Sequence, residues 1–142
     1  MTKRTRTAIE LYDGRKVGEK NTSWRLGAVL YHASSGEPPA FRAELEAALD
    51  SVLAALKASG VRYWYNSVRL AGMLVVRSLE GEHNLPRLLP CVQAPATTDY
   101  LFRVFLNPDE KVEVVCYQVN HDSRGLVTLL SPVVGQDLAA QS

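Results

Sequence analysis

The sequence predicts an α+β fold: one long amphipathic helix packed on a mostly antiparallel sheet of about five to seven strands. Three observations carry this. Residues 38–58 hold a single apolar stripe at helical spacing, residues 23–32 and 100–106 alternate with period two, and "NPDE" joins two apolar runs as a hairpin turn would. The chain has 142 residues, enough to bury one core and too few for two ordinary domains. One domain over 1–142 is expected, with residues 1–6 and about 133–142 as flexible tails.

In order along the chain, "TAIELYDGRKV" reads as a short strand through Ile9 and Leu11 that turns at Asp13-Gly14. "SWRLGAVLYH" follows as a strand whose residues Trp24, Leu26, Ala28 and Leu30 share one apolar face. The helix comes next, with Pro38 and Pro39 in its first turn and Gly60 just past its end. Phe41, Leu45, Ala48, Leu49, Val52 and Leu56 form its stripe, while Arg42, Glu46, Asp50 and Lys57 lie off it. Ser35, or a neighbour, is the expected cap.

"VRYWY" reads as a strand from its aromatic density, with Val61, Tyr63 and Tyr65 on one face and Arg62, Trp64 and Asn66 on the other. "SVRLAGMLVVRSL" fits either a strand or a buried helix. Val68, Val75 and Val76 favour the strand, which would place Val68, Leu70, Gly72, Leu74 and Val76 on a core face and leave Arg69 and Arg77 opposite. The proline-bearing stretch 80–99 reads as a loop with at most a helical turn around 83–89. "YLFRVFL" and "KVEVVCYQV" then make a hairpin with Tyr100, Phe102, Val104 and Leu106 on one face, and "LVTLLSP" is a last strand.

Composition bounds the function classes. Apolar residues make up 46% and charged residues 22%, which fits a folded globular chain and argues against disorder. Neither a signal peptide nor a membrane span of 18 apolar residues is visible, so no membrane association and a cytoplasmic location are expected. Two distant cysteines, Cys91 and Cys116, are expected as free thiols. Net charge is +1, yet residues 1–25 hold seven basic and three acidic side chains, 60–78 three arginines and no acid, and 79–122 three basic and seven acidic. That segregation suits an anion-binding face or charge complementarity between copies.

No phosphate-binding loop, dinucleotide fingerprint, nucleophile elbow, zincin helix or paired Cys-x-x-Cys is present, so no cofactor, metal or catalytic residue is assigned. Cys116, between Val115 and Tyr117, fits a buried small apolar residue better than a nucleophile paired with His121. Several strands are apolar on both faces, more than one helix covers, which implies a second layer or a partner subunit. The leading expectation is therefore a non-catalytic protein-interaction or self-assembly domain of an intracellular or viral type, with itself or another protein as partner. Trp64, Arg62, Tyr63, Tyr65, Arg69 and Arg77 are the candidate binding residues, Trp64 as the anchor. The alternatives are a nucleic-acid-binding domain that uses the basic N-terminal segment with Trp64, Tyr63 and Tyr65, and a small pocket enzyme that uses His32 or His121 with a carboxylate.

Overall fold

A computed structural model describes residues 5–18, 21–34, 38–60, 62, 66–81, 85–95, 97–107, 111–121 and 127–132. Six strands and two helices follow in the order β1 (Thr5–Lys16), β2 (Thr22–Ser34), α1 (Pro38–Ala58), α2 (Ser67–Glu80), β3 (Leu89–Cys91), β4 (Tyr100–Leu106), β5 (Val112–His121) and β6 (Val127–Pro132). The strands form one sheet in the order β3-β2-β1-β4-β5-β6. The class is α+β as the sequence predicts, with two corrections. The sheet is mixed, because β4 returns beside β1 in parallel, Ile9 opposite Phe102 and Leu11 opposite Val104. Two helices, not one, are present among the described residues.

The second helix is the larger correction. "SVRLAGMLVVRSL" is α2, and its buried residues Ser67, Leu70, Ala71, Leu74 and Ser78 recur at three and four positions, the spacing of one helix face. Boundary signals decide what the valines obscured. Asn66 caps the start, its side chain accepting the Arg69 N–H at 3.0 Å. Gly81 ends the helix at φ 74°, its N–H reaching back to the Arg77 and Ser78 carbonyls. Gly72 and Val76, expected in a core, are exposed instead.

Both helices lie against one face of the sheet. Phe41, Leu45, Leu49, Val52 and Leu56 of α1 pack with Leu70 and Leu74 of α2 over Ile9, Leu11, Leu30, Phe102, Val104 and Leu106. The stripe of α1 and the apolar face of β4 are those read from the sequence. A smaller cluster, Ala8, Leu101 and Val119 with Ala94 and Tyr117 against it, sits on the opposite face of the sheet under the segment before β4.

Three local details redirect side chains. Asp13 and Gly14 lie inside β1, not in a turn, and the positive φ falls on Gly18 at 87°. Register slips between Leu11, opposite Ala28, and Tyr12, opposite Leu26, so Gly27 is the extra residue of a β-bulge. A one-residue slip swaps faces. Ala28 and Leu30 therefore face the helices while Trp24 and Leu26 turn to the other side, so the single apolar face read from the sequence is split in two. Finally, Leu89–Cys91, inside the expected loop, pairs with Tyr31–Val29 as a short edge strand; Pro90 is tolerated because an edge needs no second ladder.

Candidate interaction surfaces

Asp13 fixes the start of α2. Its buried carboxylate accepts the Ser67 N–H at 2.8 Å and the Ser67 hydroxyl at 2.6 Å, placing a negative charge on a helix N-terminus. Gly27 makes room: a Cβ there would sit 1.8 Å from Ser67 Oγ. At the other end, Ser78 Oγ accepts the Leu88 N–H at 3.1 Å, tying α2 to the residue before β3. Both ends of the helix are thus pinned to the sheet, and its orientation is set.

That orientation leaves an unexpected outer side. Val68, Val76 and Leu79 are 55%, 46% and 62% exposed, and Gly72, between them in the same three- and four-residue progression, has nothing near the position a Cβ would take. An amphipathic surface helix ordinarily carries polar residues there. Glycine in a helix interior costs about 1 kcal/mol relative to alanine. Among the described residues nothing lies within 4 Å of a Cβ at position 72 that would require glycine there. Arg69 and Glu80, both exposed, border the apolar arc on one side.

A second surface is the sheet face away from the helices. Tyr12 stacks on Phe105 with ring centroids 5.2 Å apart, and Trp24 meets Phe105 edge-on at 5.1 Å. Trp24 and Leu26 remain 40% and 43% exposed. Beside the rings, Glu10 takes the Arg103 guanidinium at 3.0 Å and the Tyr12 hydroxyl at 2.8 Å, and Arg103 also lies over the Tyr117 ring. Burial first, and then the hydrogen bond to Glu10, pushes the Tyr12 phenol up to about 12.

A groove of about 410 Å³ runs between α1 and β5, lined by Arg42, Glu46, Asp50 and Glu113 among others. Arg42 spans it, Nε donating to Glu46 at 2.8 Å and Nη2 to the Val114 carbonyl at 3.0 Å. Among the described residues β6 pairs with β5 only from Tyr117 to His121, so Arg42 occupies a backbone acceptor on the stretch of β5 that β6 leaves uncovered.

Of the sequence-predicted binding residues, Trp64, Tyr63 and Tyr65 lie outside the described residues. Arg62 is exposed in the turn before α2. Arg69 and Arg77, expected on a strand, are on α2 and within one helical turn of the apolar arc. The residues missed were Gly72 and Glu80, whose signal was the helical spacing itself, and Trp24, which the bulge at Gly27 moved.

Among the described residues the chemistry-bearing groups do not converge. His32 is buried on β2 against Phe41, ring centroids 4.5 Å apart, and neither ring nitrogen has a hydrogen-bond partner. Burial pulls its pKa down to about 4, and no carboxylate orients it as a general base would require. The His121 side chain and His83 lie outside what is described. Cys116 is buried, its thiol pushed up to about 12 by desolvation, far from a thiolate nucleophile. Cys91 and Cys116 are not joined in a disulfide. No group of three metal-ligating side chains comes together among the described residues, and no described helix is long and apolar enough to cross a membrane. No protein-family model matches the chain, and no curated protein or solved structure matches it.

Proposed function

We propose that this chain is a non-catalytic interaction domain that associates with copies of itself in a reducing, cytoplasmic setting. The observation that supports it is the outer arc of α2, where Val68, Val76 and Leu79 sit in water on a helix whose other side is already packed. Covering apolar surface gains roughly 25 cal/mol per Å² before the cost of association. Segregated charge along the chain supplies orientation. Size-exclusion chromatography with light scattering from about 1 µM to 1 mM, a range chosen to bracket weak to moderate affinities, tests this. A species of twice the chain mass or more is expected at the upper end. A monomer throughout refutes the reading.

One observation favours a second reading, nucleic-acid binding. Trp24 stands on a sheet face with Phe105 and Tyr12, and Lys16 borders it on the neighbouring strand. Aromatic rings on a sheet with cations at its margin can stack bases and hold phosphates. Fluorescence anisotropy with a labelled single-stranded oligonucleotide should then show binding that weakens steeply with salt and is lost in Trp24→Ala. Salt-independent or absent binding removes it.

A further inference from the structure

We infer that two copies of this chain pair through their α2 helices in antiparallel, two-fold fashion, Val76 of each seated on Gly72 of the other. The inference rests on the self-association reading and gives it a geometry. Gly72 and Val76 are four residues apart on the exposed arc, one a gap and the other a projection. An antiparallel pair centred on residue 74 brings position 72 of one helix opposite position 76 of the other, twice, by symmetry. In the same register Val68 comes beside the partner's Leu79. The contact is isologous, as the commonest homodimer interfaces are.

Charge complementarity supports this register. Arg69 and Glu80 border the arc on the same side and near opposite ends of the helix. In an antiparallel pair, matching flanks face one another, so Arg69 lies across from the partner's Glu80, and the reciprocal pair forms as well. A parallel pair would instead carry the two Arg69 side chains to opposite flanks and keep Arg69 and Glu80 a helix length apart, so no Arg69–Glu80 pair would form. The helix of 14 residues is about 21 Å long. Gly72 then has a reason to be glycine that the single chain does not provide.

Two sets of variants test the pairing by sedimentation equilibrium and thermal melting of the full chain. Gly72→Leu fills the gap with a better helix former at an exposed site. Association should weaken at least about tenfold, because two symmetric positions are overpacked, while the melting temperature measured at micromolar concentration holds or rises. Arg69→Glu and Glu80→Arg should each weaken association, and the double variant Arg69→Glu/Glu80→Arg should restore it. Neither residue is buried, so this set reads out even if Gly72→Leu folds poorly. Undiminished association of Gly72→Leu, or no recovery in the double charge swap, overturns the α2 geometry while leaving self-association standing. A wild-type chain that stays monomeric removes both.

Discussion

Asp13→Ala should be among the most damaging single polar substitutions in this chain, and the structure sets its size. The carboxylate accepts two hydrogen bonds from Ser67, which is fully buried, and sits on the positive end of α2. A hydrogen bond to a charged group contributes about 1.5–3 kcal/mol, and leaving the Ser67 hydroxyl unsatisfied adds the cost of its desolvation. Arg25, 3.4 Å away and well exposed, adds little. The loss should be about 4 kcal/mol, a large part of the 5–15 kcal/mol typical of a folded domain. Asp13→Asn, which can still accept one of the two bonds, should lose about half as much. Urea denaturation followed by circular dichroism at pH 7 measures both, with the m-value unchanged. Gly27→Ala supplies an independent check, because its Cβ would displace the same hydroxyl from Asp13. The double variant Asp13→Ala/Gly27→Ala should therefore cost less than the sum of the singles by at least about 1 kcal/mol. A loss below about 1 kcal/mol for Asp13→Ala, or strict additivity with Gly27→Ala, refutes the role assigned to this contact.

Three further outcomes follow from the same contacts. His32 has a pKa near 4 in the fold against 6.5 in the unfolded chain, so its neutral form gives full stability above pH 6.5, and protonation of the unfolded state removes about 3 kcal/mol as pH falls from 6.5 to 4. In His32→Phe that part of the pH dependence should vanish in denaturation curves at pH 7 and 5; an unchanged slope counts against it. Cys91 should react with iodoacetamide in the native chain while Cys116, buried with its thiol raised to about 12, reacts only on unfolding; peptide mass spectrometry showing equal labelling would contradict the burial. Phe105→Ala should destabilise the fold by about 2 kcal/mol or more and alter the emission of Trp24, because both Tyr12 and Trp24 pack on that ring.

The sequence made α1 legible because spacing, composition and boundary residues agreed on it from Pro38 to Gly60. The β4–β5 hairpin was legible for the same reason, and so was Cys116 as a small core residue. In α2 the signals disagreed. Val68, Val75 and Val76 favour a strand by intrinsic preference, but tertiary burial of Leu70, Ala71 and Leu74 overrides that preference, and the caps at Asn66 and Gly81 carried the better information. Trp24 was misplaced because period two is an absolute count and a single bulged residue at Gly27 inverts everything beyond it. Asp13-Gly14 resembled a turn by type. Asp13 is there for the N-terminus of a helix 54 residues later, a contact that no local pattern encodes. The apolar surplus was visible as excess, but its location depended on α2 being a helix.

The parallel pairing of β1 with β4 also bears on synthesis. Thr7 meets Tyr100 across 93 residues, so the centre of the sheet closes only once residues 100–106 have been made. Until then β1 can pair with β2 on one side alone, and a nascent chain stopped after α2 would present an uncovered strand rich in apolar residues. Termination anywhere before residue 100 would leave β1 without its β4 neighbour and produce a sticky fragment, never a smaller version of the domain.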